Sequence, residues 1–172
     1  MRPFRMIALG CFVCAAAYGQ GVPPGEGRAE PAGAHDRQQD YVLRPKPWLL
    51  RKTTKDWQWV AVAPKIYHPP HLDPLEFPAI IEHEKVHLSQ QRASGKYRWL
   101  IRYVFSKKFR FAQELEPIVV EMANTPQGMR ASLAVKYARS LSGGPYSKAA
   151  KSPQVALEGI LAKAAEMGVA LE

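Results

Sequence analysis

The feature that most restricts the fold is a series of helical segments, bounded by proline and glycine, from residue 73 to the end of the chain. Asp73-Pro74, with Glu76 close by, has the form of a helix N-cap, although Pro78 can move the start to about residue 78. That helix is expected to continue to Gly95, because glycine favours termination. The same signals predict four more helices, at about residues 97–105, 112–124, 126–141 and 153–167.

Two segments before the helices are predicted to be strands, Tyr41 to Leu50 and Trp57 to Ala63. In the second segment, Trp57, Trp59 and Ala61 alternate with Gln58, Val60 and Val62, as expected for the two faces of a strand. The polar residues 53–56 between the segments fit a turn.

Prolines limit the extent of this β structure. Pro45 and Pro47 restrict the first segment to a sheet edge or split it. Residues 67–71 are expected to be irregular, because Pro69 and Pro70 cannot donate to a ladder. The predicted fold class is α+β. A single, mostly helical domain spans residues 41–172, with a small N-terminal β-hairpin or sheet packed on the first long helix.

The first 40 residues are expected to lie outside that domain. Residues 1–19 have a positive start, a short apolar run from Met6 to Ala17 and small residues at the end, as in a secretory signal peptide. The run is too short for a stable membrane anchor. A lipoprotein signal acylated at Cys11 is the alternative. Residues 20–40 are rich in glycine, proline and charge, which predicts a disordered linker. The chain is therefore expected to be exported, to the periplasm or outside the cell.

Cysteine content and charge limit the function of the exported chain. Cys11 and Cys14 are the only cysteines, and both lie in the predicted signal, so a disulfide scaffold, a cysteine-ligated zinc and a cysteine nucleophile are excluded after cleavage. Removal of Arg2 and Arg5 leaves 22 Lys and Arg against 15 Asp and Glu, a net charge of +7. This charge favours an anionic envelope surface as a partner, although simple solubility explains it equally well.

His83-Glu84-Lys85-Val86-His87 is the stretch most informative about chemistry. Residues four apart lie on one face of a helix, so His83 and His87 can bind a single Zn²⁺. Glu84, beside His83, is placed to act as the general base on a water that the metal activates. A pair of surface histidines on a solvated helix is the simpler alternative.

A catalytic zinc site needs a third protein ligand. No histidine follows His87 and no aspartate follows Asp73, so a downstream ligand has to be a glutamate, and the first three are Glu114, Glu116 and Glu121. At the α-helical turn angle Glu116 points about 200° away from Glu114, so the two are not expected to bind the metal together. This angle alone does not choose between them, so Glu114 and Glu116 both remain candidates at this point.

The stretch HEKVHLSQQ, followed by the glutamates of QELEPIVVEM, resembles the small bacterial and phage relatives of the gluzincin metallopeptidases. The resemblance covers the stretch from Asp73 to roughly Glu121. It implies a zincin-like core, with Glu114 as the third zinc ligand. Glu116 matches the second glutamate of the family pattern, and Pro117 stands where that pattern usually has alanine.

Two more histidines and two tyrosines have side chains of the types that metal sites use. His68 and His71 lie in a proline-rich stretch and are left out of the ligand set, whereas Tyr103 and Tyr137 are candidates by type for stabilising an oxyanion. The leading function is an exported zinc metallopeptidase acting on peptides or proteins. The resemblance implies that Trp57 to Ala63 is a strand along which substrate lies extended. The alternative is a non-catalytic basic module of the cell envelope that holds a structural zinc or none. Nucleic-acid binding through residues 96–111 conflicts with export and is not expected.

Overall fold

The structure of the protein, a computed structural model, describes residues 41–143 and 148–171. Within this part of the chain lie three strands, β1 (Val42–Pro45), β2 (Val60–Val62) and β3 (Lys65–His68), and six α-helices, α1 (Trp48–Thr53), α2 (Pro78–Ser94), α3 (Lys96–Phe105), α4 (Lys107–Ala123), α5 (Gln127–Ser142) and α6 (Pro153–Glu166). The predicted α+β class, mostly helical with a small sheet, is confirmed. The predicted signal peptide (1–19) and linker (20–40) fall outside the described residues, so export and disorder stay predictions.

The predicted hairpin or sheet is a three-stranded sheet, and its two predicted segments do not pair with each other. β3 is the central strand, with β1 parallel to it and β2 antiparallel to it. The hairpin of this sheet is therefore formed by β2 and β3, and not by the two segments that the sequence suggested. Alternation within a segment predicts a strand, but it does not identify the neighbouring strand.

The extents of the strands also differ from the prediction. The first segment forms a strand only as far as Pro45. Pro47 has no N–H to continue the strand pairing. Its carbonyl accepts a hydrogen bond from Arg51 N (3.1 Å), and this bond begins α1. The second segment is extended only at Val60–Val62. β3 includes Tyr67 and His68, which were expected to be irregular. The two following prolines end this strand and do not prevent it.

α2 begins at Pro78, as the proline in the sequence suggested. A single 3-10 turn precedes it at Pro74–Glu76, where Asp73 Oδ1 accepts a hydrogen bond from Leu75 N at 2.9 Å. The helix ends at Gly95, whose φ of 79° lies in the left-handed region that favours glycine. α3, α5 and α6 also lie within two residues of their predicted bounds, and α4 starts five residues early because the Ser106 hydroxyl caps it, accepting from Phe109 N.

The sheet packs on α2 through a buried apolar cluster of Trp59, Ala61, Ile66, Ile80, Ile81 and Leu88. The Gln91 side chain adds a polar connection: its Nε2 donates to Ala61 O (2.9 Å), and its Oε1 accepts from Ala63 N (3.0 Å). Because these bonds satisfy main-chain groups of β2 and the segment just after it, they fix α2 against the sheet.

α2 also packs against α4, which in turn contacts α5 and α6. A second apolar cluster holds these last three helices together, and it includes Ile118, Met122, Tyr137, Leu141 and Ile160. The positions of α2 and α4 are thus set by two separate apolar clusters. None of the helices in the described part of the chain combines the length and the apolar character needed to cross a membrane.

Candidate metal centre

Two histidines of α2 and one glutamate of α4 come together in the interior. The His83 Nε2 atom lies 3.9 Å from Glu114 Oε2, and the His87 Nε2 atom lies 3.6 Å from Glu114 Oε1. The three ligand atoms all lie within 4.8 Å of one another, and the exposed fraction of each residue is at most 1 %. The cluster of His83, His87 and Glu114 can therefore hold a metal ion.

Two features of this cluster fit a cation. The Nε2 atoms of His83 and His87 are buried and have no hydrogen-bond partner among the described residues. Buried polar atoms are normally paired, and a metal ion satisfies such nitrogen lone pairs. Ligands bound about 2 Å from one tetrahedral ion lie about 3.3 Å apart. The observed nitrogen–oxygen separations of 3.6 and 3.9 Å are somewhat longer, so small side-chain movements would close the three ligands on an ion.

The burial of the two alternative glutamates distinguishes them. Glu114 is fully buried at the cluster, whereas Glu116 is exposed, as the angle between them predicts. Glu121, two turns after Glu114 on the same face, is also buried but meets the other nitrogen of His83. The structure thus brings together His83, His87 and Glu114 and leaves Glu116 at the surface.

Glu121 and Tyr137 orient His83. The Nδ1 atom of His83 lies 2.9 Å from Glu121 Oε2, and the Tyr137 hydroxyl donates to the same oxygen at 2.5 Å. With Nδ1 facing this carboxylate, Nε2 points toward Glu114. Such a carboxylate behind a histidine ligand fixes the ring and increases its basicity.

The electrostatic surroundings of His83 are strongly negative. Burial lowers the pKa of His83, but its hydrogen bond to Glu121 and the charges of Glu121, Glu84 and Glu114 outweigh that effect and raise it above its ordinary value. Three buried carboxylates around one imidazole thus favour positive charge at this point. A divalent cation on Nε2 would supply that charge in place of a proton.

His87 is oriented by an amide of its own helix. Gln90 Nε2 donates to the main-chain carbonyl of Gln113 (3.0 Å), and Gln90 Oε1 lies 3.0 Å from His87 Nδ1. Because a carbonyl can only accept a hydrogen bond, the NH₂ group of Gln90 faces the Gln113 carbonyl, and the side-chain oxygen of Gln90 faces His87. The His87 proton therefore resides on Nδ1, and the lone pair of Nε2 points into the cluster.

Pro117 explains why the Gln113 carbonyl is available. In a regular helix the N–H of residue 117 would donate to this carbonyl, but proline has no N–H. Pro117, which departs from the gluzincin pattern that the sequence resembles, thus leaves the Gln113 carbonyl available to accept the hydrogen bond from Gln90. Burial and the neighbouring His83 charge lower the pKa of His87 to about 3, which keeps this imidazole neutral, as a metal ligand requires.

The role of Gln90 can be tested with Gln90→Leu, which has a similar volume. We expect the dissociation constant for zinc to increase about tenfold to a hundredfold, the usual effect of losing an outer partner of a ligand. Competition with a chromophoric chelator measures this constant. Gln127→Leu, at an exposed position, is the matched control and should leave it unchanged.

A double variant separates orientation of His87 from stability. In Gln90→Leu the Gln113 carbonyl loses its hydrogen-bond donor, and adding Pro117→Ala introduces a main-chain N–H that can donate to this carbonyl. The thermal stability lost in Gln90→Leu should then recover in the double variant. Zinc binding should stay weak, because His87 Nδ1 still lacks its acceptor. Full recovery of zinc affinity in the double variant would show that Gln90 does not act through His87.

Glu84 and the two predicted oxyanion tyrosines are all buried near the cluster. Glu84 is fully buried beside His83, and its charge contributes to the raised pKa of that histidine. The Tyr103 hydroxyl donates to Glu114 Oε1, and Tyr137 bonds Glu121. Both tyrosines thus hold carboxylates of the site, a different contact from the one suggested by their type alone.

The remaining candidates lie elsewhere. His68 donates from Nδ1 to Pro69 O (2.9 Å) and lies near Trp59, and His71 is exposed, so neither joins the cluster. In the predicted substrate strand, the main-chain carbonyl of Ala61 and the main-chain N–H of Ala63 already form hydrogen bonds with the Gln91 side chain. These two groups are therefore not available to pair with a substrate. Sequence reasoning gave Gln90, three residues after His87, no role, and it considered Glu121, seven after Glu114, only as a zinc ligand and not as a partner of His83. Their helical spacing was the available signal.

Comparisons with protein family models, with curated proteins and with solved structures gave no match. The functional interpretation therefore depends on the geometry of the site.

Proposed function

We propose that this chain is a zinc-dependent metallopeptidase with His83, His87 and Glu114 as ligands and Glu84 as general base. The observation that supports this most is the pair of buried, unbonded Nε2 atoms facing one buried carboxylate. Two imidazoles and a glutamate are the ligand set of a catalytic zinc site that leaves a fourth position for water.

The chain's own residues have separate tasks in this proposal. Bound zinc would lower the pKa of a coordinated water and polarise the carbonyl of a peptide bond. Glu84 accepts the proton from the attacking water and passes it to the leaving nitrogen. Glu121 and Gln90 hold the imidazoles, and Tyr103 holds Glu114, so that the three ligand atoms keep their directions.

The burial of the site favours a second candidate function. His83, Glu84, His87 and Glu114 are each at most 1 % exposed, as in a closed structural metal site. The second candidate is therefore a non-catalytic basic module whose zinc stabilises the fold. Glu84 argues against it, because a structural site needs ligands but has no need of a carboxylate beside one of them.

Chelation distinguishes the two candidates. We expect about one zinc per purified chain, and we expect removal of the zinc to abolish cleavage of a denatured protein mixture read by mass spectrometry. Helical circular dichroism should persist, and added zinc should restore cleavage. Unfolding on chelation, without zinc-dependent cleavage before it, would instead support the structural role.

A further inference from the structure

The outward face of α3 carries a row of exposed apolar side chains. Tyr97, Ile101 and Phe105 are spaced four residues apart, which places them on one helix face, and their exposed fractions are 74 %, 57 % and 76 %. The opposite face buries Trp99 and Tyr103, whose rings lie 5.6 and 6.2 Å from the ring of His87. α3 is thus attached to the protein by one face and exposes a row of apolar side chains on the other.

Positive charges adjoin this row. Arg98 and Arg102 are exposed, each one position after an apolar member, and Lys107 and Lys108 are exposed in the first turn of α4. The sequence has no aspartate or glutamate from residue 85 to residue 113. Within the outer surface of this segment, therefore, no acidic side chain offsets the arginines and lysines.

Such a combination indicates a particular partner. Single exposed apolar residues are common in proteins, but a contiguous apolar row beside a basic one marks an interaction surface. Nucleic acid would use the charges and could stack on aromatic rings, yet it would gain little from an aliphatic side chain at the centre of the row. An anionic bilayer uses all three elements, since acyl chains accept Ile101 and Phe105 and headgroup phosphates accept the arginines and lysines.

We propose that α3 and the start of α4 form a docking surface for an anionic lipid bilayer. The helix lies parallel to the membrane, with Ile101 and Phe105 at the boundary of the acyl chains and Tyr97 among the headgroups. Arg98, Arg102, Lys107 and Lys108 bind phosphates. Because the inner face of α3 packs on His87, docking places the metal cluster one helix away from the membrane. This inference is independent of the proposed peptidase activity.

Vesicle co-sedimentation of the full chain tests the surface. Vesicles of phosphatidylcholine mixed with phosphatidylglycerol should bind the protein, and vesicles of phosphatidylcholine alone should bind it much more weakly. Arg98→Gln with Arg102→Gln should reduce binding to the anionic vesicles on the order of tenfold through loss of charge. Ile101→Ser with Phe105→Ser should reduce it by a similar factor through loss of apolar insertion.

Matched controls show whether the effects are local. Arg139→Gln with Lys151→Gln removes two exposed charges elsewhere, and Val155→Ser with Leu161→Ser removes two exposed apolar side chains of α6. Both control pairs should bind like the wild type. The N-terminal 40 residues are the same in every variant, so differences among the variants report on α3.

Two outcomes would overturn the proposal. The first is equal binding of anionic vesicles by the wild type and both α3 pairs. The second is binding of a labelled oligonucleotide that is lost in the arginine pair and retained in the apolar pair, with no binding of vesicles. That second result would assign the surface to nucleic acid.

Discussion

Glu84→Gln is expected to retain the zinc and the fold while losing cleavage activity by a factor on the order of a hundred to ten thousand, the usual contribution of a positioned acid–base group. Glutamine has nearly the shape of glutamate, so the buried position stays filled. The substitution also removes one of the charges that raise the pKa of His83, which favours the neutral imidazole that binds metal.

The measurement needs both readouts on one preparation. Zinc content and circular dichroism establish that the metal and the fold remain, and cleavage of mixed denatured proteins is then compared at equal zinc occupancy. Glu82→Gln, on the same helix but partly exposed and paired with Lys85, is the matched control and should leave activity unchanged. Full cleavage by the zinc-loaded Glu84→Gln protein would remove Glu84 from the mechanism.

Glu114→Gln is expected to weaken zinc binding by more than the roughly tenfold to hundredfold loss that follows removal of an outer partner. An amide oxygen is a much poorer zinc ligand than a carboxylate, and the variant loses the negative charge facing both Nε2 atoms. The substitution preserves the side-chain volume and leaves an oxygen that can accept the hydrogen bond from the Tyr103 hydroxyl. The effect can therefore be attributed to the ligand and not to a cavity.

Glu116→Gln makes the same chemical change two residues away on the exposed face of α4. Titration with a chromophoric chelator should give the wild-type zinc affinity for this control. The assignment of the third ligand would be wrong if Glu114→Gln bound zinc as tightly as the wild type, or if the loss appeared in Glu116→Gln instead.

The helices were predictable because their ends are encoded locally. Pro78 and Gly95 bound α2, and Pro153 begins α6, as the signals for helix starts and stops indicate. The early start of α4 is also encoded locally, since Ser106 is a favourable N-cap. The pairing of β1 with β3 was not predictable, because it joins segments separated by α1 and β2.

In the site, too, the features set by local helix geometry were predictable, and those set by the packing of one helix on another were not. The convergence of His83 and His87 follows from helical spacing, and the same geometry separates Glu114 from Glu116. The bond from Gln90 to the Gln113 carbonyl could not be read from the sequence, because it depends on α2 and α4 lying side by side. Pro117 looked like a departure from a family pattern, and only the packing gives it a role.

The most direct test of the metal centre is an anomalous difference map from a crystal of the zinc-loaded protein, recorded at the zinc absorption edge. The structure predicts one strong peak about 2 Å from His83 Nε2, His87 Nε2 and a Glu114 carboxylate oxygen. A zinc peak located instead at His68 or His71, or the absence of any peak among these three side chains in a zinc-loaded crystal, would contradict the account.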